Sequence, residues 1–572
     1  MRLQFVLRVR VLSAFFVLAA LLLVVRLYFI QIVHGDEYRA AALGQYVTES
    51  GGMADRGNIL FTKKNGDEVA AAVMQGGWRI AINPKLLENP DAAYEILKQI
   101  TPLDEQRFQT SAAKKDDPYE EVAYRLTDDE AEAVRTAKIQ GVTTVRDKWR
   151  FYPAGALAAH ALGFVAYKGD TKAGVYGLER YWEDTLRHDS GGLYINPFAE
   201  IFSNVGTLVS SDPRTREGSV ITSLEPSVQR QLESTLEGIM STHVPKEAGG
   251  IIMDPSNGEI HAIAMRPAYD PNTYNIVENQ RVFQNPLIES IYEMGSIMKP
   301  LTIAAAIDVN AVSPKTTYTD RGCESKSGAK FCNFDLKARG VVDMQEVLSQ
   351  SLNTGVSFAV DRMGNTVFGE YIKKFGLGEE TGIDLPNEAA GNINSLYVEG
   401  AADIDFASAS FGQSIAVSPI AMIRALSVLA NKGRLPEPHL VKAIRFESGI
   451  VRDVAQADPV QVIKPESAET VTSMLVKVYD DALLEGVLKQ EHYSIAAKTG
   501  TAQIAIPGGG GYYKDRYLHS FFGYFPAHDP KFIVLLYALE PHGEMYASRT
   551  LARPFDEIAK FLINYYDVPP DR

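Results

Sequence analysis

The sequence predicts an α+β fold: one antiparallel sheet with a block of helices between its first and last strands, behind a mixed α/β region and a single membrane-spanning helix. Three observations predict it. Two apolar runs separated by Pro-Ser-Asn-Gly (AGGIIMDPSNGEIHAIAM, 248–265) read as a β-hairpin. Three further strand candidates close the chain, YSIAAKTGTAQIA, LHSFFGYFPA and KFIVLLYALE. Between these two groups the chain reads as helical over 296–309, 341–375, 418–431 and 467–484. Strands that bracket helices, rather than alternating with them, give an α+β arrangement with one antiparallel sheet.

Taken in order, the first element is the anchor. Residues 11–33 are apolar except for Ser13, Arg26 and Gln31, about 34 Å of helix at 1.5 Å per residue, enough to span a bilayer. Arg2, Arg8 and Arg10 precede it and the first acidic residue is Asp36, which places residues 1–10 in the cytoplasm and the rest outside. The small residues Ala40–Ala42 lie too far beyond the apolar run for a usual signal-peptide cleavage site. A mixed region follows (34–215), with GGMADRGNIL (51–60), a short strand WRIAI (78–82) and a charged helical stretch over 118–137. The run SSDPRTREGS (210–219) reads as a linker, and 216–247 as a strand entering an amphipathic helix. The catalytic candidate domain is 248–572 and ends in a helix, ARPFDEIAKFLINYY.

Composition excludes several classes. The chain has 572 residues, about four times a typical ~150-residue domain. Hydrophobic residues make up 46% and charged residues 22%, which is globular and not disordered. A net charge of −14 opposes general nucleic-acid binding. Two cysteines cannot build a Cys₄ zinc site, an iron–sulfur centre or a disulfide scaffold, so no metal and no cofactor is expected. Cys323 and Cys332 flank a Gly-containing turn; outside the cytoplasm they could staple a hairpin, and two free thiols fit the spacing as well.

Three short motifs carry chemistry only as an ordered set. Ser-x-x-Lys occurs at Ser111/Lys114, Ser296/Lys299 and Ser327/Lys330, where about two are expected by chance. Lys-Ser/Thr-Gly occurs at 326–328 and 498–500, and Ser-x-Asn at Ser351/Asn353. Only Ser296 opens a strong apolar helix, and only Lys498 lies in a strand downstream of Ser351. On this reading Ser296 is the nucleophile and Lys299, one helical turn on, its base. Burial, the helix end and a second cation, Lys498, would keep Lys299 neutral. Ser351 would relay a proton and Asn353 would bind a substrate amide. Thr499, Gly500 and Thr501 would bind the extended substrate, with the N–H groups of Ser296 and Thr501 as the oxyanion hole.

This set resembles class B penicillin-binding proteins, the monofunctional peptidoglycan D,D-transpeptidases. The blocks IYEMGSIMKPLTIAAAID, VVDMQEVLSQSLNTG, FASASFGQSIAVSPIAM and AAKTGTAQ carry the resemblance, and DRGNIL, RFYPAGALAAHALGFV and GVYGLERYWEDTL are similar to the family's pedestal (dimerisation-type) domain. The resemblance implies a penicillin-recognising transpeptidase fold, a five-stranded antiparallel sheet flanked by helices, with the site between the sheet and a helical subdomain. It implies peptidoglycan stem peptides and lipid-linked precursor-derived glycan as substrates, a polytopic membrane glycan polymerase as partner, β-lactam antibiotics as inhibitors, and a place in the cytoplasmic membrane of a bacterium. Departures are Thr62-Lys63-Lys64-Asn65-Gly66 where an Asp-Arg-Asn-Gly-like turn is usual, Met294 for a common proline and Met298 for a common phenylalanine. The rivals are a D,D-carboxypeptidase of the same fold, which differs only in the acyl acceptor, a catalytically silent β-lactam-binding scaffold, and a β-lactamase. No Glu-x-x-Leu-Asn element of a class A lactamase occurs.

Overall fold

The computed structural model describes residues 55–169, 171–188, 217–509 and 511–572, together with Leu21, Leu23 and Arg26. Among the described residues no helix is long and apolar enough to cross a membrane. The segment 11–33, read above as the anchor, lies outside the described residues but for those three. Gly76–Trp149 form one compact unit; Asp55–Gln75, Arg150–His188 and 217–572 form another.

Strands β1 (Ile59–Thr62) and β2 (Glu68–Ile82) pair antiparallel, Thr62 opposite Glu68, around a turn closed by Lys63 N–H on Asp67 O and Gly66 N–H on Lys63 O. The smaller unit then holds helices α1 (Pro90–Leu97) and α2 (Glu105–Ala112), strand β3 (Glu120–Leu126), helix α3 (Asp128–Thr136) and strand β4 (Val142–Phe151), with β3 and β4 paired to β2. Ile80, Ile82, Leu97, Phe108, Val122 and Leu126 make its core. The stretch 118–137 is therefore not one helix. A capping box at Thr127, whose Oγ1 accepts from Glu130 N–H while Glu130 Oε2 accepts from Thr127 N–H, starts the helix only there.

In the larger unit, the hairpin β5 (Val165–Lys168) and β6 (Thr171–Gly174) leads to helix α4 (Gly177–Tyr181). Here the three pedestal-like blocks meet in one buried ion cluster. Arg56 Nε and Arg150 Nε lie 2.6 and 2.5 Å from the two oxygens of Glu179, which is fully buried. Arg56 also bonds Glu183 at 2.6 Å, and Arg150 Nη1 donates to Gly57 O at 2.8 Å. Burial alone would raise the Glu179 carboxyl, but the two guanidinium charges hold it below the usual carboxylate range. Strand β7 (Gly218–Thr222) pairs parallel with β1, Ile59 opposite Val220, so close that a side chain at Gly57 would sit 1.9 Å from Gly218 O.

Helix α5 (Pro226–His243) follows, capped by Glu225 accepting from Val228 N–H. Then come β8 (Glu247–Met253) and β9 (Ile260–Arg266), the expected hairpin. The middle of the chain is helix α6 (Lys299–Asp308), strands β10 (Thr317–Asp320), β11 (Cys323–Lys326), β12 (Ala329–Cys332) and β13 (Gly340–Asp343), and helices α7 (Met344–Ser349), α8 (Asn353–Met363) and α9 (Asn365–Lys374). The stretch read as helical over 341–375 opens in β13 and then holds three helices, broken at Ser351 and Gly364, whose φ values of 56° and 89° are left-handed. Helix α10 (Pro419–Ala430), strands β14 (Arg434–Leu435), β15 (Val441–Phe446), β16 (Val451–Asp453) and β17 (Val460–Gln461), and helix α11 (Pro465–Lys477) lead to the closing strands. These are β18 (Ala496–Ala505), β19 (Tyr512–Phe525) and β20 (Phe532–Leu539), followed by helix α12 (Ala552–Tyr565).

The central sheet has order β18-β19-β20-β8-β9, all antiparallel. Its residues alternate between two cores, as a period-2 strand requires. Ile251, Met253, Leu535, Tyr537 and Phe522 face the helical block; Ile252, Val534, Leu536, Phe521 and Phe525 face α5 and α12. Both faces are covered, which explains why FIVLLYAL shows no polar alternation. Helix α12 buries Phe555, Ile558, Ala559, Leu562 and Ile563 at helical spacing, and Phe555 stacks 4.6 Å from Phe521. Strand β18 is one of the sheet's two edges, the other being β9.

Candidate active site

Ser296 is the second residue of a 3-10 turn (Gly295–Met298) that runs directly into α6. Pro300 falls in the first helical turn, where its missing N–H is harmless. Edge strand β18 lies against this turn. A Cβ at Gly500 would meet Ser520 Oγ at 2.3 Å, Met294 O at 2.7 Å and Ile297 N at 3.1 Å, so only glycine allows the approach. Ser520, opposite Gly500 on β19, donates its hydroxyl to Met294 O at 2.8 Å and fastens turn to sheet. Gly295 adopts φ 64°, and Gly412 packs so closely on it that a Cβ would lie 2.2 Å from Gly295 O.

Lys299 is fully buried. Its Nζ donates to Ser351 O at 2.6 Å and to Ser351 Oγ at 3.2 Å. The direct hydrogen bond to Ser296 Oγ expected from their spacing is not formed; the left-handed backbone at Ser351 turns its carbonyl onto the amine instead. Asn353 begins α8 and donates Nδ2–H to Cys332 O at 2.7 Å. Cys323 and Cys332 are joined in a disulfide across the β11–β12 pair, settling in favour of the staple the two alternatives the spacing left open.

Lys498 on β18 is 2% exposed, and its one described hydrogen bond is Nζ to Thr499 O at 3.2 Å. Among the described residues neither Lys299 nor Lys498 forms an ion pair with a carboxylate. Burial pulls Lys498 down to about 8. Burial, reinforced by the charge of Lys498, pulls Lys299 well below the ordinary lysine range. The arrangement sets a buried amine at Lys299, biased toward its neutral form, beside Lys498, which stays charged below about pH 8. Thr499 and Thr501 are half-buried, and Thr501 Oγ1 accepts from Ala547 N–H at 3.1 Å.

The other motif copies are structural. Ser111 and Lys114 both bind Glu120 on the smaller unit, and Ser327 occupies the left-handed turn of the β11–β12 hairpin, where Lys326 pairs with Asp361. The sequence reading missed the supports of the site. Glu293 Oε1 accepts from Ser414 N–H at 2.8 Å and Tyr512 O–H at 3.1 Å, and burial raises its carboxyl. Asp320 is buried and bonds Asn333 and Thr354, the residue after Asn353. Only the position of Glu293, three residues before Ser296, could have signalled it. Among the described residues no cluster of His, Cys, Asp and Glu could hold a metal ion.

Residues 248–560 match the penicillin binding protein transpeptidase domain, and 53–208 the penicillin-binding protein dimerisation domain. Stage V sporulation protein D of Bacillus subtilis is 28% identical over 546 residues, 94% of this chain and 82% of the relative. Peptidoglycan D,D-transpeptidase FtsI of Buchnera aphidicola is 24% identical over 577 residues, 99% and 96% of the two chains. Among solved structures, Penicillin binding protein 3 of Mycobacterium tuberculosis in complex with aztreonam superposes with a TM-score of 0.68 at 22% identity, covering 91% of this chain and 98% of that one. The transpeptidase match alone spans more than half of the 572 residues, over the same stretch that holds the two buried lysines, Ser296 and the edge strand, and the chain belongs to the penicillin-binding protein transpeptidase family.

Proposed function

We propose that this protein is a peptidoglycan D,D-transpeptidase that cross-links stem peptides through an acyl-enzyme on Ser296 and is a target of β-lactams. The observation that carries the reading is the pair of buried lysines without carboxylate partners. A buried amine whose pKa is pulled well below the ordinary lysine range, one turn from a serine, is a general base in waiting. Ser296 Oγ attacks the carbonyl of the D-Ala-D-Ala bond while Lys299 takes its proton. The N–H groups of Ser296 and Thr501 stabilise the oxyanion. The proton passes to the departing D-Ala amine through the Ser351 hydroxyl, which already touches Lys299. Lys498, charged below about pH 8, holds the substrate's terminal carboxylate with Thr499 and Thr501. Asn353 holds a substrate amide, and Gly500 leaves the β18 edge open to an extended peptide. The amine of a neighbouring stem then takes the acyl group and frees Ser296.

The apolar segment 11–33 supports a single-pass membrane anchor with residues 34–572 outside the cytoplasm. A D,D-transpeptidase lacking glycan-polymerising motifs works on glycan made by a membrane polymerase, which is the partner we assign. The test is covalent labelling of the full-length protein with a fluorescent penicillin beside Ser296→Ala. Stable labelling of the wild type alone is expected, and with a D-Ala-D-Ala donor peptide the acyl group should pass to an added amine in preference to water. Release to water alone assigns a carboxypeptidase; a folded protein that never labels assigns a scaffold.

A further inference from the structure

The side chain of Asn353 has a single described hydrogen bond, to the carbonyl of Cys332, so whatever fixes that carbonyl fixes Asn353. The carbonyl belongs to the peptide group between Cys332 and Asn333, and its other end is pinned by Asn333 N–H on Gly322 O at 2.8 Å. The Asn333 side chain, 1% exposed, donates its amide N–H to Asp320, Nδ2 lying 2.9 and 3.0 Å from the two carboxylate oxygens.

Asp320, at the end of β10 and 1% exposed, is the common point of this network. Besides Asn333 it accepts from Gly322 N–H at 2.9 Å, Arg339 N–H at 2.9 Å and the Thr354 hydroxyl at 2.8 Å. Among the described residues no cation pairs with it, since the Arg339 guanidinium is taken by Asp335. Its charge is held by donors alone, a costly arrangement unless every one stays in place. Thr354 is the residue after Asn353. Its N–H lies 3.3 Å from Asn333 Oδ1, which substitutes for the side-chain cap that Leu352 cannot supply to α8. The Tyr318 hydroxyl, 3.1 Å from Thr354 Oγ1, closes the group from β10.

We infer that Asp320 is a positioning residue of the active site: through Asn333 and Thr354 it fixes both the peptide group that orients the Asn353 amide and the helix turn that carries it. The Cys332 carbonyl takes one of the two Nδ2 hydrogens, which fixes the orientation of the Asn353 amide and leaves its other N–H and its Oδ1 for a substrate amide. Asp320 reaches no substrate itself and acts only through that orientation. The inference rests on the assignment of Asn353 to the substrate amide.

The experiment is a double-mutant cycle on the full chain, reading penicillin acylation with its binding constant and acylation rate separated. Asp320→Asn presents an amide to donors that need an anion, and should slow acylation about 10- to 100-fold, the cost of a misplaced group. In the Asn353→Ala background the same change should cost less than about threefold, because the path through Asn353 is already cut. Asp343→Ala is the structural control. Asp343 caps α7 by accepting from Glu346 N–H at 3.0 Å and forms no described hydrogen bond to Asp320, Asn333 or Asn353, so removing the cap should lower the melting temperature and leave acylation unchanged. Should Asp320→Asn not yield folded protein, Thr354→Val, which removes one hydroxyl and keeps the charge, carries the same cycle. Full acylation by Asp320→Asn, losses that multiply in the double mutant, or an equal loss in Asp343→Ala would overturn the inference. Wild-type acylation by Asn353→Ala would overturn it at its premise, and shows itself as a failure of the Asn353 assignment rather than of the Asp320 link.

Discussion

Lys299 and Lys498 are both buried amines with lowered pKa values but need opposite charge states, and that sets a pH profile. Lys299 works as a base only when neutral, so acylation falls as pH drops through its lowered pKa. Lys498 binds a carboxylate only when charged, so acylation falls again as pH rises past about 8. A bell is therefore expected, with an alkaline limb near pH 8, measurable by stopped-flow labelling between about pH 5 and 10. Lys498→Arg keeps the charge at any accessible pH, and its alkaline limb should disappear from that range. Lys498→Gln removes the neighbouring cation, so Lys299 regains protons more easily and the acid limb moves to higher pH. It should also slow acylation about 10²- to 10³-fold, the scale of a lost electrostatic contact in a closed site. An alkaline limb unmoved in Lys498→Arg would assign that limb to another group. All of these residues were legible in the sequence, because motif order and spacing encode them. Their geometry was not: that Lys299 rests on Ser351 depends on the left-handed backbone at Ser351, which no propensity announces.

Strand β18 and the nucleophile turn meet through backbone, which makes glycine at 500 a packing requirement. Gly500→Ala would drive a methyl into Ser520 Oγ, Met294 O and Ile297 N. The hydroxyl can rotate away, but the two backbone atoms cannot. The turn must shift, and a cost of about 1–3 kcal/mol is expected together with loss of penicillin labelling. Ser520→Ala, which only unfastens Met294 O, should lower the melting temperature less and keep labelling. The β11–β12 hairpin is the second element that bears on the site. Opening its disulfide by Cys323→Ser with Cys332→Ser frees a short loop, worth about 2–3 kcal/mol to the hairpin, and loosens the carbonyl under Asn353. Thermal melting and labelling of the double mutant, against wild type, measure the two effects. At this scale the sequence was a partial guide. The closing strands and α12 were legible because both core faces impose an apolar pattern. The breaks at Ser351 and Gly364, and the strand hidden in 118–137, were not, since hydrogen-bonded turns and caps interrupt helices without disturbing composition.

The segments Asp55–Gln75 and Arg150–His188 belong to the same compact unit as 217–572, although a reading by blocks sets them apart as a pedestal. Ile59, Phe61, Leu162, Phe164 and Leu178 lie in one core with Ile251, Met253 and Leu535, and β15 pairs with β7, which pairs with β1. Domain blocks were visible in the sequence because their motifs are local. This shared core was not, because its partners are separated by long stretches of chain. Two predictions follow from it. Glu179→Gln would leave Arg56 and Arg150 as buried guanidiniums without a matching charge, at a cost of about 3–5 kcal/mol read by thermal melting. The second is an excision. A fragment beginning at Ala248 loses β1, β7 and the ion cluster, exposes the face of β15, and should be insoluble. Replacing 78–148 by a short Gly-Ser turn should instead preserve folding and penicillin labelling. Gly77 and Trp149 lie on the paired strands β2 and β4, and a Cβ at Gly77 would fall 2.6 Å from the far end of the Trp149 ring, so a short linker can join the two strands. A soluble, labelling 248–572 fragment, or an excised protein that fails to fold, would show that the core divides elsewhere than these contacts indicate.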